Sequence, residues 1–223
     1  MLTYHVITLF PEMFNSYLGE SILKKAIDNK KISVKFYNPR DFAKPSKNPE
    51  LLEPIDDKPF GGGVGMVLKA EFYLKAIEKA KGKKTAVKII YFSPRGEKFT
   101  TEKGKIIAEK NKEGKIKDLI LVSARYEGFD SRVEEIFKGE RISIGDYVLT
   151  GGELPAMILI DSISRQIDGV LGNSESLEEE RVSAGKFYTR PAVLKWKKKE
   201  YEVPKVLLSG DHKKIEEWKK KNS

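Results

Sequence analysis

Short apolar runs rich in β-branched residues alternate along this chain with longer segments of helical period, and that alternation limits the fold more than any single motif. The runs are Tyr4–Leu9, Ser33–Tyr37, Val87–Ser93, Leu119–Ser123 and Arg141–Ile144. The helical segments are Met13–Asn29, Lys69–Lys81, Thr101–Asn111, Ser131–Phe137 and Pro155–Ile167. Their apolar residues return every three or four positions, whereas the runs have a strand's length and composition. Strand–helix alternation predicts an α/β domain built on a mainly parallel sheet. The acid-rich stretch 173–185 lacks either period and reads as a linker or lid. Beyond it, Lys205–Leu208 and Asp211–Lys221 predict a small helical tail.

Composition removes several chemistries. The chain has no cysteine, which excludes disulfides, Cys-based zinc sites, iron–sulfur clusters and a thiolate nucleophile. Its two histidines, His5 and His212, stand too far apart for ligand spacing. No apolar run reaches the eighteen or so residues of a membrane span, and residues 1–7 read as a first strand, not a signal peptide. The expected location is cytoplasmic. The net charge is +9, and from Lys186 onward twelve Lys/Arg face five acids. Phe187, Tyr188, Trp196, Tyr201 and Trp218 are interleaved with those cations. Basic residues mixed with aromatics suit a phosphate backbone, although a solvated lysine-rich surface gives the same pattern.

Three glycine-bearing loops follow three of the expected strands: Ser93-Pro94-Arg95-Gly96, Ala124-Arg125-Tyr126-Glu127-Gly128 and Gly145 through Gly152. Parallel sheets bind ligands outside the carboxyl ends of their strands, so three such loops can line one pocket. In the third, Gly151-Gly152-Glu153-Leu154-Pro155 leads into a helix, with Pro155 expected near its first position. A further glycine loop, Pro59-Phe60-Gly61-Gly62-Gly63-Val64-Gly65-Met66, lacks the Gly-Lys-Ser/Thr of a phosphate loop and the GxGxxG spacing. It reads as a segment that lets backbone approach a substrate or a second subunit. No Ser-His-Asp arrangement is visible.

Taken in order, the chain contains Phe10-Pro11-Glu12-Met13-Phe14, Arg40-Asp41-Phe42, Asp56-Asp57-Lys58-Pro59-Phe60-Gly61-Gly62-Gly63, Ser93-Pro94-Arg95-Gly96, Arg125-Tyr126-Glu127-Gly128, Ser143 through Pro155, Tyr188-Thr189-Arg190-Pro191 and Val203 through His212. This set closely resembles the bacterial tRNA (guanine-37-N1) methyltransferases and covers nearly the whole chain. The resemblance implies the SPOUT fold: an α/β domain with a mainly parallel sheet and a deep C-terminal trefoil knot, followed by a linker and a small helical domain. The implied boundaries are a knotted catalytic domain over 1–168, a linker or lid over 169–185, and a basic helical tRNA-binding domain over 186–223, shorter than the family's.

The resemblance further implies S-adenosylmethionine as methyl donor, the tRNA anticodon stem-loop as substrate, and a homodimer with active sites at its interface. Positions matching the family's cofactor contacts are Tyr91, Phe92, Ser93, Pro94, Gly96, Ala124, Tyr126, Glu127, Ile144, Gly145, Asp146, Tyr147, Val148, Leu149, Gly151 and Gly152. Ala124 stands where the family usually has glycine. Arg40, Asp56, Asp57 and Arg190 fall at substrate-binding positions. Aligned without gaps from Arg165, the family's catalytic aspartate falls on Glu180, with Glu179 and Asp168 as alternatives in register. Guanine N1 carries a proton at neutral pH, so a base must remove it before attack. Glu180 takes that role by resemblance, and Arg165 that of stabilising the charge growing on O6. A divalent cation such as Mg²⁺ is compatible with the family, but the sequence displays no dedicated metal site. Methylation of another RNA site by a knotted enzyme, or RNA binding without catalysis, are the competing readings.

Overall fold

A run that must be apolar on both faces belongs inside a covered parallel sheet, and the central strands here have that character. The computed structural model describes residues 1–46, 48, 51–171 and 186–222, in two units, Met1–Gly172 and Asn173–Ser223. In the first unit, strands β1 (Leu2–Ile7), β2 (Ile32–Tyr37), β5 (Val87–Lys98), β6 (Asp118–Val122) and β7 (Glu140–Ser143) form one sheet in the order β2-β1-β6-β5-β7. Every pair is parallel. Successive side chains of β6 divide between two cores, as a pleated strand requires. Leu119 and Leu121 join Tyr4, Val6 and Ile90 beneath Leu159, Ile160 and Ile163 of α6 (Glu153–Ser164), together with residues of α2 (Ser21–Asp28) and α4 (Thr101–Lys112). Ile120 and Val122 face the other way, against Phe72, Tyr73, Ala76 and Ile77 of α3 (Ala70–Lys81) and Val133 of α5 (Arg132–Ile136).

Several expectations are corrected. The single helix expected over Met13–Asn29 is a 3₁₀ turn at Pro11–Phe14, a short α1 (Asn15–Leu18) and α2, separated by Gly19 and an extended Glu20. Its period runs through the break because Phe14, Leu18, Leu23 and Ala26 all enter the same core. Strand β5 does not stop at Ser93. It continues to Lys98 after a register shift in which Phe92 and Glu97 both oppose Ile142, leaving 93–96 outside the ladder where Pro94 has no N–H to donate. Helix α6 starts at Glu153 with Gly152 as its N-cap. Pro155 is therefore the third helical residue, still within the turn whose N–H groups lack partners. A two-residue pair, β3 (Asp56–Asp57) with β4 (Val67–Leu68), closes the base of the 59–66 glycine loop.

The second unit is not simply helical. Strands β8 (Val193–Trp196) and β9 (Lys199–Glu202) form an antiparallel hairpin ahead of α7 (Lys205–Leu208) and α8 (His212–Lys221). The turn has Lys197 at φ +57° and no Asn-Gly or Gly, the usual signal for such a hairpin. Its strands are exposed on both sides, so no hydrophobic alternation marked them. Asp211 caps α8 by accepting from the Lys214 N–H at 3.2 Å.

Two loops meet backbone to backbone at the carboxyl edge of the main sheet. Gly152 N–H donates to Ala124 O at 3.0 Å, and Arg125 bridges Gly151. A Cβ on Gly152 would stand 2.7 Å from the Ser123 Cα, and one on Gly96 would stand 2.6 Å from the Arg141 carbonyl carbon. The segment after β7 thus reaches across β5 to the end of β6, and the segment after Phe92 lies on the backbone of β7. Gly152→Ala is expected to destabilise the protein by about 1–3 kcal/mol by overpacking. Gly104→Ala, inside α4 where a Cβ meets nothing closer than 3.4 Å, is expected to stabilise it by about 0.5–1 kcal/mol. Urea unfolding of both variants checks the contrast.

One polar relay crosses the sheet. His5 is fully buried, its Nε2 lies 2.8 Å from Asp118 Oδ1, and its Nδ1 lies 2.9 Å from the Tyr37 hydroxyl. A carboxylate only accepts, so the neutral ring donates from Nε2 and receives the Tyr37 proton at Nδ1. Burial lowers the His5 pKa; the Asp118 hydrogen bond and charge oppose that shift, and Lys84 and Lys35 add to it. The unfolded chain therefore binds the proton more readily than the native state. This contribution is complete above the ordinary histidine value of about 6.5 and declines as pH falls below it. Thermal unfolding should show a fall in Tm below about pH 6.5 that is shallower in His5→Gln.

Candidate active site

Each of the three loops is shaped by a local demand of the chain. In the 124–128 loop, Tyr126 takes a left-handed φ of +57° and exposes its ring, a conformation that costs a non-glycine residue about 1–2 kcal/mol. The 144–152 loop exposes Tyr147 and Val148, and the Tyr147 hydroxyl donates to Ile144 O at 3.3 Å. Asp146 is paired with Lys98. The 93–96 loop exposes Pro94, and Ser93 Oγ accepts from the Arg95 N–H at 3.3 Å. The 59–66 glycine loop joins this edge as well: Glu127 N–H donates to Met66 O at 3.2 Å and Leu68 N–H to Gly128 O at 2.9 Å. Gly65 sits at φ +98°, where a Cβ would stand 2.8 Å from Glu127 Cγ. Phe60 and Val64 on that loop are almost wholly exposed.

The structure gathers Phe92, Ser93, Pro94, Gly96, Ala124, Tyr126, Glu127, Ile144, Gly145, Tyr147, Val148, Leu149, Gly151 and Gly152 on the loops and strand ends of one sheet edge. Tyr91 differs, because its ring is in the core and its hydroxyl donates to Phe137 O at 2.6 Å. Any contact it makes at the loops belongs to its main chain. Among the described residues, the N–H groups of Tyr147, Val148 and Leu149 donate to no other main-chain oxygen. They remain able to bind a ligand's acceptors, and the flanking exposed rings offer it apolar faces.

The candidates outside the loops are spread more widely. Arg40 is exposed in the 3₁₀ turn Pro39–Phe42 that follows β2, and Asp56 and Asp57 lie in the β3–β4 pair. Asp57 is 3.9 Å from Lys69. Arg190 is exposed in the second unit. Arg165, half-buried, caps the far end of α6, its N–H donating to Asp161 O at 3.1 Å. Asp161 also accepts from the Tyr17 hydroxyl, a bond that pushes the phenol up to about 12. Asp168 is exposed and 3.0 Å from Lys112. Glu179 and Glu180 lie outside the described residues. Among the described residues, no group of three or more His, Asp or Glu could hold a metal ion, and no helix is long and apolar enough to cross a membrane.

Sequence reasoning assigned no role to Thr8, Arg125 or Glu153. Glu153 is 1% exposed and accepts from Thr8 Oγ1 at 2.9 Å. Arg125 Nε lies 3.0 Å from its other oxygen. A charged residue following two glycines at a helix start was the available signal, since an acid there complements the helix dipole. A recess of about 420 Å³ lies elsewhere, at the amino ends of β5 and β7, lined by Lys88, Lys110, Lys115 and Lys138 and by none of the loop residues.

Known proteins match the chain along nearly its whole length. The family model described as tRNA (Guanine-1)-methyltransferase TrmD matches residues 2–223. Proteins named tRNA (guanine-N(1)-)-methyltransferase are similar over almost all of the chain. That of Syntrophomonas wolfei is 46% identical over 222 residues, covering 98% of this chain and 84% of its own. The Clostridioides difficile protein is 44% identical over 230 residues, covering 100% and 92%. The Alcanivorax borkumensis protein is 43% identical over 226 residues, covering 98% and 79%. With nearly its whole length matched, and with the glycine loops of that match meeting at one sheet edge, the chain belongs to the tRNA (guanine-1)-methyltransferase family.

Proposed function

We propose that this protein transfers a methyl group from S-adenosylmethionine to N1 of guanosine 37, beside the anticodon of tRNA. The observation that carries this reading is the meeting of the 93–96, 124–128 and 144–152 loops at the carboxyl edge of the sheet in a chain of this family. Free main-chain donors and exposed tyrosines fit a ligand with an adenine edge and a flexible amino-acid arm. When bound, S-adenosylmethionine supplies a methyl on a sulfonium, and the protein's part is to position the acceptor and handle its proton. Glu180 takes the N1 proton, with Glu179 and Asp168 as the neighbouring carboxylates; the pairing of Asp168 with Lys112 favours the other two. Arg165 stabilises the negative charge that moves onto O6. Tyr126 and Tyr147 shield the loops from water.

The length of α6 supports a homodimer. Gly152, at its start, belongs to the loops, and Arg165 closes its other end, roughly 20 Å away at 1.5 Å per residue. One chain's Arg165 therefore cannot reach its own loops, but a second copy's can. Phe10, Met13, Tyr17, Leu154 and Ile158 expose apolar side chains along α6 and the 11–18 segment packed against it. An apolar patch of this kind suits subunit contact. The return of the 144–152 loop across β5 to Ser123 supports a trefoil knot in the 1–168 domain. The basic second unit would bind the anticodon stem-loop, with Arg190, Arg40, Asp56 and Asp57 as further contacts and lysines setting a salt-dependent affinity. A cytoplasmic location accords with a tRNA substrate.

Mass spectrometry of tRNA treated with the protein and labelled cofactor should place the methyl in 1-methylguanosine at position 37; label elsewhere refutes the assignment. Glu180→Gln is expected to reduce turnover by about 10²–10⁴-fold while calorimetric affinity for S-adenosylmethionine stays within about twofold. Full activity would move the base to another carboxylate. Sedimentation should give twice the 25.3 kDa of one chain, and Ile158→Lys should yield inactive monomer.

A further inference from the structure

Among the described residues, three buried side-chain atoms have no hydrogen-bond partner: Ser123 Oγ, Arg125 Nε and Glu153 Oε2. All three lie where the 124–128 and 149–152 loops meet. Buried polar atoms are nearly always paired, so a cluster of orphans calls for a physical reason. Arg125 Nε and Glu153 Oε2 are 3.0 Å apart, within ion-pair range but not aligned as a hydrogen bond. The carboxylate itself is firmly seated. Its other oxygen accepts from Thr8 Oγ1, which in turn accepts from the Phe10 N–H at 3.0 Å. It also stands in the first turn of α6, where the helix dipole favours an anion.

The remaining contacts of Arg125 are weak: Nη1 donates to Thr150 O and Oγ1 at 3.4 Å, Nη2 lies 3.2 Å from Met13 Sδ, and the guanidinium sits 4.9 Å above the Phe10 ring. Glu153 is thus its principal anchor. The backbone of the neighbouring loop is wedged against this pair, since a Cβ on Gly151 would stand 2.5 Å from Arg125 Nε and 2.6 Å from Glu153 Oε2. The residue after Arg125 is Tyr126, whose left-handed backbone persists only where its surroundings over-determine it.

We propose that Glu153 is a positioning residue for the methyl donor: through Arg125 it sets the distance between the 124–128 and 149–152 loops and the pose of Tyr126. This rests on the cofactor reading above. Buried at the base of the loops, the carboxylate touches no ligand and acts through the guanidinium. The unaligned pair is the state before binding, and closure of the loops on the cofactor completes its hydrogen bond, as polar contacts in active sites commonly tighten when occupied.

The test is calorimetry with S-adenosylmethionine on the full chain, beside steady-state kinetics and thermal unfolding. Glu153→Gln, which keeps the shape and removes the charge, should weaken cofactor binding at least tenfold. It should raise KM for S-adenosylmethionine by a similar factor and change kcat at saturating cofactor by less than about threefold. Arg125→Met, at a half-exposed position, should give the same split, and it decides the matter alone if Glu153→Gln does not fold. The double variant should bind no more weakly than the worse single variant, because one shared interaction is lost. A purely structural role predicts a lower Tm with cofactor affinity of the folded protein unchanged. Affinity within twofold of the parent in either folded variant, or additive losses in the double, overturns the proposal. A parent chain that itself fails to bind S-adenosylmethionine overturns the cofactor reading instead.

Discussion

The structure depends on contact between main chains at the carboxyl edge of the sheet. At Gly152 and Gly96 the backbone runs so close to Ser123 and to β7 that no Cβ fits. The candidate site follows from that approach. It puts loops from three strands within reach of one ligand and starts α6 directly at the crossing. Among the described residues, it also leaves the N–H groups of 147–149 without main-chain partners. A protein interior packed at crystal-like density deforms little, so the crossing itself is a rigid base, and the exposed outer parts of the loops, with the rings of Tyr126 and Tyr147, are the adjustable part.

Charge is divided by task. The net +9 is concentrated after Lys186, where an exposed hairpin and α8 offer lysines and aromatics to a polyanion. At the loops, Asp146 pairs with Lys98 and Glu153 lies against Arg125.

The sheet strands and the helices α3, α4, α5 and α6 were legible in the sequence to within a residue or two at most ends, because burial on two faces leaves an unbroken apolar run and burial on one leaves a period. The larger misses are local. Gly19 breaks a helix whose period continues across the gap, so periodicity alone joined Met13 to Asn29. Strand β5 extends past a proline and a glycine that normally end strands, since its last residues pair again after a bulge. The hairpin at 193–202 buries neither face and turns on lysines, so no pattern announced it. At the site, the glycines were legible as close approaches. The Thr8–Glu153–Arg125 set was not, because its members lie up to 145 positions apart and only the fold makes them neighbours.

Helix α6 ties the two halves of the chemistry together. Its first residue, Glu153, packs at the loops proposed to hold the cofactor, and its C-cap is Arg165, the group proposed to act at the guanine oxygen. Being a helix, it fixes their separation at about 18 Å, too far for an arginine side chain to span. Its exposed Leu154 and Ile158 lie one turn apart on a single face. Laid against the same face of a second copy in antiparallel fashion, such a helix brings one chain's Arg165 toward the other chain's Gly152. In the proposed dimer, the helix that holds Arg165 away from its own loops also supplies the apolar face for the second copy, so loss of assembly and loss of activity would be one event.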